Sequence, residues 1–370
     1  MTSSLVAIRP PQRGLPKPEQ PVLKDLPATE LVAWAAEHLG GPRYRAVQLF
    51  EWLHKHRAGE FADMSSLPAA MRDTLASQAT VGALTVDQVQ TSTDGTRKLR
   101  LVTPTDDVLE AVLIPNPGRG LTLCISSMVG CSLTCRFCAT ASLGFTRNLA
   151  TWEIVDQVYQ AQSLLADERD AAGYPPRITN LVFMGMGEPL HNFMQVRRAI
   201  SILTDASGAG LAGRRITVST AGMVPAIERF AREGLADEVG LAVSLNATTD
   251  AVRDQVMPIN TRWNIATLLE TVRALPTPKR RCVTFEYVLL AGVNDTDADA
   301  RRLARLIEGI SALVNVIPFN PHADAPYQRP GAARVDAFVR VCRAAGLQVQ
   351  VRTPRGDDID AACGQLARRG

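Results

Sequence analysis

The chain lacks the features that would take it out of the ordinary globular enzymes. No run approaches the ~18 consecutive apolar residues that a membrane-spanning helix needs. The opening stretch, residues 1–24, is polar and Pro-rich and has no secretory hydrophobic core; it reads as a flexible lead-in. Aromatic residues make up only 5%, so surfaces on which bases stack must be few. Charge of one sign does not dominate. The formal net charge is +3, and residues 1–100 carry 12 Lys+Arg against 10 Asp+Glu, so a polyanionic partner would be held by local patches. Neither a low-complexity segment nor a solenoid repeat is present. Seven cysteines in 370 residues are too sparse for a disulfide scaffold and point instead to metal binding or catalysis. What remains is a cytoplasmic protein, 46% apolar, long enough for a large α/β domain with an accessory piece.

Periodicity divides the chain. Residues 25–80 are helical in pattern: Leu31, Val32, Trp34 and Ala35 share one face, and Val47, Leu49, Phe50, Trp52 and Leu53 another. The second of these segments sets Arg45, His54, Lys55, His56 and Arg57 around its apolar stripe, a solvated basic end or an RNA-facing one. Residues 81–116 turn β-like, with a turn at Gly95, and predict a small sheet linking this arm to the main domain. From 117 to 357, apolar runs at 122–128, 178–184, 215–220, 239–245, 283–290, 313–319 and 348–353 alternate with helical stretches near 151–172, 192–204, 224–233, 264–275, 296–309 and 332–345. Continuous apolar strands between helices predict a parallel sheet, here a partial (βα)6-type barrel whose site lies at the C-terminal ends of its strands. Residues 358–370 form a tail.

The chemistry-bearing residues fall at those strand ends. Cys131, Cys135 and Cys138, spaced C-x3-C-x2-C, follow the first barrel strand. Three thiolates on one loop can hold three corners of an iron–sulfur cubane and leave one iron open to substrate. The spacing alone also allows zinc with a fourth ligand. Gly185, Gly187 and Glu188 of GMGEP end the second strand, where glycines allow close backbone approach and a carboxylate can accept from an ammonium. Ser219, Ser244 with Leu245 and Asn246, and Asn320 end later strands. Such residues also serve turns. Cys124 and Cys363 bracket the barrel; Cys282 and Cys342 read as packing residues.

The triplet resembles the signature of radical S-adenosylmethionine (SAM) enzymes. With GMGEP, MPIN at 257–260 and GDDIDAACGQL at the tail, residues 27 to the C-terminus resemble the RlmN-type RNA methyltransferases. This resemblance implies one [4Fe-4S] cluster on Cys131, Cys135 and Cys138, with SAM contacted by Gly187, Glu188, Ser219, Ser244, Leu245, Asn246 and Asn320. The family pattern has a histidine where this chain has Asn246, which cannot titrate. The implied product is adenine methylated at C2 in 23S rRNA and in tRNA. Two SAM molecules are used per turnover, and a donor such as flavodoxin supplies electrons to a monomer. Cys363 would become S-methylcysteine, Glu110 would accept the C2 proton, and Cys124 would resolve the adduct through a transient disulfide with Cys363. One extra residue separates Glu110 from Cys124 relative to that pattern. The alternatives are C8 methylation of the antibiotic-resistance type, another radical SAM activity that leaves Cys124 and Cys363 without a use, and a non-catalytic metal-bearing RNA-binding protein. Arg45, Lys55, Arg57, Lys279, Arg280, Arg281, Arg352 and Arg355 are candidate phosphate contacts.

Overall fold

Three short helices, each preceded by a proline that ends the incoming extended segment, open the fold: α1 (Ala28–His38), α2 (Arg43–His54) and α3 (Ala69–Gln78). The structure is a computed structural model that describes residues 8–15, 18–116, 118, 120–169, 176–276, 282–323 and 325–366. The helices close over a core of their own around Leu31, Leu49, Phe50, Leu53, Phe61 and Leu75.

Twelve strands follow: β1 (Thr85–Thr91), β2 (Arg97–Val102), β3 (Val108–Asn116), β4 (Gly120–Cys124), β5 (Met128–Gly130), β6 (Phe145–Asn148), β7 (Ile178–Phe183), β8 (Ile216–Thr220), β9 (Gly240–Ser244), β10 (Val283–Leu289), β11 (Ala312–Pro318) and β12 (Gln348–Val351). Ten of them form one sheet in the order β1-β2-β3-β4-β7-β8-β9-β10-β11-β12, and β5 and β6 pair as a hairpin. From β4 to β12 every pair is parallel. Helices Thr151–Leu164, Phe193–Thr204, Val224–Arg232, Ile265–Arg273, Asp297–Leu306 and Ala332–Ala344 form the crossovers. Six βα units and a seventh strand make the partial barrel. Its strands are apolar because they are covered on both faces; β10 buries all but one residue of its length.

Four features differ from the sequence reading. The β-strands of residues 81–116 do not stand apart as a linking sheet. β3 pairs antiparallel with β4, Val112 opposite Cys124, so the barrel sheet runs on into them. The lead-in is not free over its described part: Ile8 bridges Leu133, and Gln12 and Arg13 donate backbone N–H groups to Thr146. The first crossover helix stops at Leu164 rather than near 172. His54 does not belong to a solvated basic end. It is buried against the barrel, Nδ1 2.9 Å from the Tyr159 hydroxyl, and burial with the nearby Lys24 charge pushes its pKa down to about 3. Beside it the Lys24 ammonium meets Asp156 at 2.8 Å, both buried, tying the helical arm to helix Thr151–Leu164.

Candidate active site

The C-terminal ends of the parallel strands open on one cavity. β4 ends at Cys124, and Ile125 keeps the sheet pairing by donating to Val182. The chain then turns into the β5–β6 hairpin, whose long loop carries the cysteine triplet. Cys131 donates its N–H to Gly144 O at 2.8 Å, and Cys138 to Cys135 O at 3.2 Å, so loop closure fixes all three thiols around the cavity wall.

The donors suit a polynuclear group. All three thiols are free, and Leu133, Val256, Met257 and Ile259 surround them. Burial and mutual repulsion raise their pKa values: Cys131 well above the ordinary thiol value, Cys135 to about 12, and Cys138 upward through burial. Three thiolates in so apolar a place require a strongly positive partner. Among the described residues no three His, Cys, Asp or Glu side chains converge where a single metal ion would sit. Three thiols lining one cavity can hold three corners of an iron–sulfur cluster.

On the same cavity wall stands Glu188, which caps the start of the short turn Pro189–Asn192. It accepts from Leu190 N at 3.0 Å and Ala221 N at 2.7 Å, and burial still lifts its pKa to about 7. A buried carboxylate at the cavity wall favours a cationic ligand such as an ammonium. The motif glycines serve packing first. A Cβ on Gly187, at φ 105°, would lie 2.6 Å from Met128, and one on Gly185 would lie 2.6 Å from Ile125 O. Glu188→Gln is expected to keep the fold and weaken SAM binding by roughly 10–100-fold, the loss typical of one charge-assisted hydrogen bond. Equilibrium dialysis with labelled SAM measures it.

The expected site residues take four places. Cys131, Cys135, Cys138, Gly187, Glu188, Ser219, Ser244, Asn246 and Cys363 line the cavity together. Asn246 is already engaged: its Oδ1 accepts from Val288 N at 2.7 Å, and its amide donates to Met257 Sδ. Leu245 is buried in the core behind the wall. Asn320 lies in an adjoining small cavity, donating to Cys363 O at 3.0 Å. Cys124 is buried, and its thiol feels Cys363; burial first, then that neighbour, push its pKa to about 12. Glu110 is buried on the Cys124 face of the sheet, its Oε1 3.4 Å from Lys98 Nζ.

Three charged residues of the site carried no signal, or the wrong one. Arg253 is fully buried in the helix Asp250–Val256 and donates to Ala221 O, Leu245 O and Ser244 O, bracing the ends of β8 and β9. Glu286 is buried on the cavity wall, bound by Asn315, its pKa raised by burial. It is the one charge in the apolar run of β10, and that isolation could have flagged it. Arg352, read as a phosphate contact, turns inward. It lines the small cavity with Cys363 and acts on Cys363, Glu286 and Cys124, its own charge favoured by them against burial. Lys279, Arg280 and Arg281 lie outside the described residues.

Residues 125–304 match the family described as the Radical SAM superfamily, and residues 22–81 match the ribosomal RNA large subunit methyltransferase N-terminal domain. The chain is 44% identical to the dual-specificity RNA methyltransferase RlmN of Desulfotalea psychrophila, over 93% of this chain and 94% of that one. It is 45% identical to the Anaeromyxobacter sp. protein of that name, over 96% and 93%. The chain belongs to the RlmN family of radical SAM RNA methyltransferases. A solved radical SAM methyltransferase from Sphaerobacter thermophilus superposes with a TM-score of 0.87 at 43% identity, covering 94% of this chain and 99% of that one. The RlmN family membership makes the chain a SAM-dependent RNA methyltransferase with a [4Fe-4S] cluster, and the thiols and the Glu188 wall fit both groups. No described helix is long and apolar enough to cross a membrane.

Proposed function

We propose that the chain methylates C2 of adenine in 23S rRNA, at the peptidyl transferase centre, and in tRNA at position 37, through a methyl group carried on Cys363. The observation that carries this reading is the placement of the tail: Cys363 lines the same cavity as the three cluster thiols, shares a small adjoining cavity with Arg352, and lies close enough to Cys124 for the two thiols to influence each other. C2 of adenine is electrophilic and cannot attack a sulfonium methyl as an amine does, so a nucleophilic thiol has to take the methyl first.

When bound, the cluster and SAM supply a 5′-deoxyadenosyl radical. The rest falls to residues of the chain. Burial raises the Cys363 pKa and the Arg352 guanidinium opposes that rise, so Arg352 supports the thiolate that displaces the methyl from a first SAM. Loss of a hydrogen atom from the resulting S-methyl group leaves a carbon radical on the Cys363 side chain, which adds to C2. Glu110 takes the C2 proton, and the unpaired electron left on the adduct would return to the cluster that supplied it. Cys124 attacks the Cys363 sulfur, forming a disulfide and releasing the base. Two SAM molecules are consumed per turnover. A donor such as flavodoxin supplies the electron that starts SAM cleavage and the two that reduce the Cys124–Cys363 disulfide back to thiols, and the enzyme works in the cytoplasm as a monomer.

RNA treated with the reconstituted enzyme, digested to nucleosides and compared by mass spectrometry with 2-methyladenosine and 8-methyladenosine standards, is expected to contain the first. Product at C8 alone would overturn the reading; the structure offers no observation that favours C8.

A further inference from the structure

The tail that carries Cys363 is gripped from an unexpected side. The turn between β1 and β2, more than 260 residues earlier in the chain, exchanges carboxylates with it. Asp358 accepts from Ser92 Oγ at 2.5 Å and from Thr93 N at 3.1 Å. In return Asp94 accepts from Gly356 N at 3.1 Å, and Arg355 stands 3.8 Å from the same carboxylate oxygen. Gly356 adopts φ 65°, and a Cβ there would lie 2.8 Å from the Ala361 side chain and 2.9 Å from that of Thr96, so the Thr96 side chain packs directly on the Gly356 backbone. Beneath them Lys98 Nζ reaches Asp360 O at 3.4 Å. The far end of the tail is anchored separately: Ala139 N donates to Gly364 O and Thr140 Oγ1 to Leu366 O, both at 2.7 Å. Residues 361–363 lie between these two anchors, with Asn320 donating to Cys363 O at 3.0 Å and Gln365 accepting from Ala362 N at 3.0 Å.

We propose that the β1–β2 turn is a latch that positions the Cys363 loop, with Asp94 and Asp358 as its reciprocal positioning residues. The inference rests on the role proposed for Cys363. That thiol has to meet a methyl donor in the cavity and later meet Cys124 in the sheet wall, so its loop needs a limited path between two targets. Neither carboxylate touches the cavity; both act through the backbone of the tail. This gives the antiparallel extension of the barrel sheet a use: it holds Gly356 and Asp358 from one side, while Arg329 and Gln365 hold Asp357 from the other. Loss of positioning on the scale of an ångström slows a proximity-limited step severely.

The test compares wild type with Asp358→Ala, Asp94→Ala and the double variant, all as cluster-loaded protein. Two readouts are used. One is the rate at which diamide closes the Cys124–Cys363 disulfide, mapped by peptide mass spectrometry; two thiols are oxidised while diamide is reduced to the hydrazine. The other is 5′-deoxyadenosine formed per methylated adenine. Each single variant is expected to slow closure and raise that ratio roughly tenfold, and the double variant to do no more than the singles, because one latch is broken either way. A tail with a merely structural role would lower the melting temperature and leave both readouts unchanged, and that result overturns the proposal. If the alanine variants fail to fold, Ser92→Ala removes the hydroxyl that donates to Asp358 and accepts from Asp94 N, leaves both carboxylates in place, and is expected to move both readouts the same way by roughly threefold; no movement there also overturns it. A wild-type enzyme that made no methylated RNA would sink the function proposed above, while the closure rate, which needs no RNA, would still decide the latch.

Discussion

Cys124→Ala protein, supplied with SAM, reductant and substrate RNA, is expected to end covalently joined to the RNA through Cys363. The cause is chemical. Once the carbon on Cys363 sulfur has bonded to the base, the C–S bond breaks only if a second thiol attacks that sulfur. Cys124 is placed for this: it ends β4, is buried, and shares the field of Arg352 with Cys363. Methylated, released adenine should fall to background, and a band of protein with RNA attached should accumulate in one-to-one ratio with enzyme. Denaturing gels with labelled RNA, followed by peptide mapping to Cys363, read this directly. Free methylated adenine at an undiminished rate would remove Cys124 from the mechanism.

The second large effect falls on the cluster loop. Cys135→Ala should abolish 5′-deoxyadenosine formation and lower bound iron and sulfide, while the helical arm and barrel stay folded. The loss should exceed the roughly 10–100-fold cost of removing an outer-shell partner of a metal site, because a direct ligand is gone. The fold should survive because the loop is held by its own backbone bonds and by the hairpin, not by the sulfurs. Iron analysis and absorption near the charge-transfer bands check the first part, and far-ultraviolet circular dichroism the second. Full iron content with undiminished cleavage of SAM would mean that Cys135 is not a ligand.

The parallel strands were legible because their burial is a local property of sequence. Apolar runs at 178–184, 239–245 and 283–290 became Ile178–Phe183, Gly240–Ser244 and Val283–Leu289. Pairing was not legible. Nothing in residues 81–116 states that β3 will lie beside β4, and that contact is what makes ten strands one sheet. The cysteine triplet and GMGEP were visible because their chemistry needs fixed spacing. Arg253 was not, since its four acceptors come from backbone carbonyls and an amide scattered along residues 221–260. Arg352 was read as facing solvent because arginine usually does. It lines the small cavity with Cys363, and Glu286, distant in sequence, is the carboxylate whose charge favours its own. The reciprocal carboxylates Asp94 and Asp358 were invisible for the same reason: each looks like an ordinary turn residue until the other is beside it.

The central claim is that three sulfurs on the Cys131–Cys138 loop leave one corner of a cluster open for SAM. It is tested most directly by reconstituting the protein with iron and sulfide, adding dithionite and SAM without RNA, and measuring 5′-deoxyadenosine by liquid chromatography. Wild type is expected to release that nucleoside, and Cys131→Ala, Cys135→Ala and Cys138→Ala none. A reconstituted wild-type protein with a full complement of iron that releases none would contradict it.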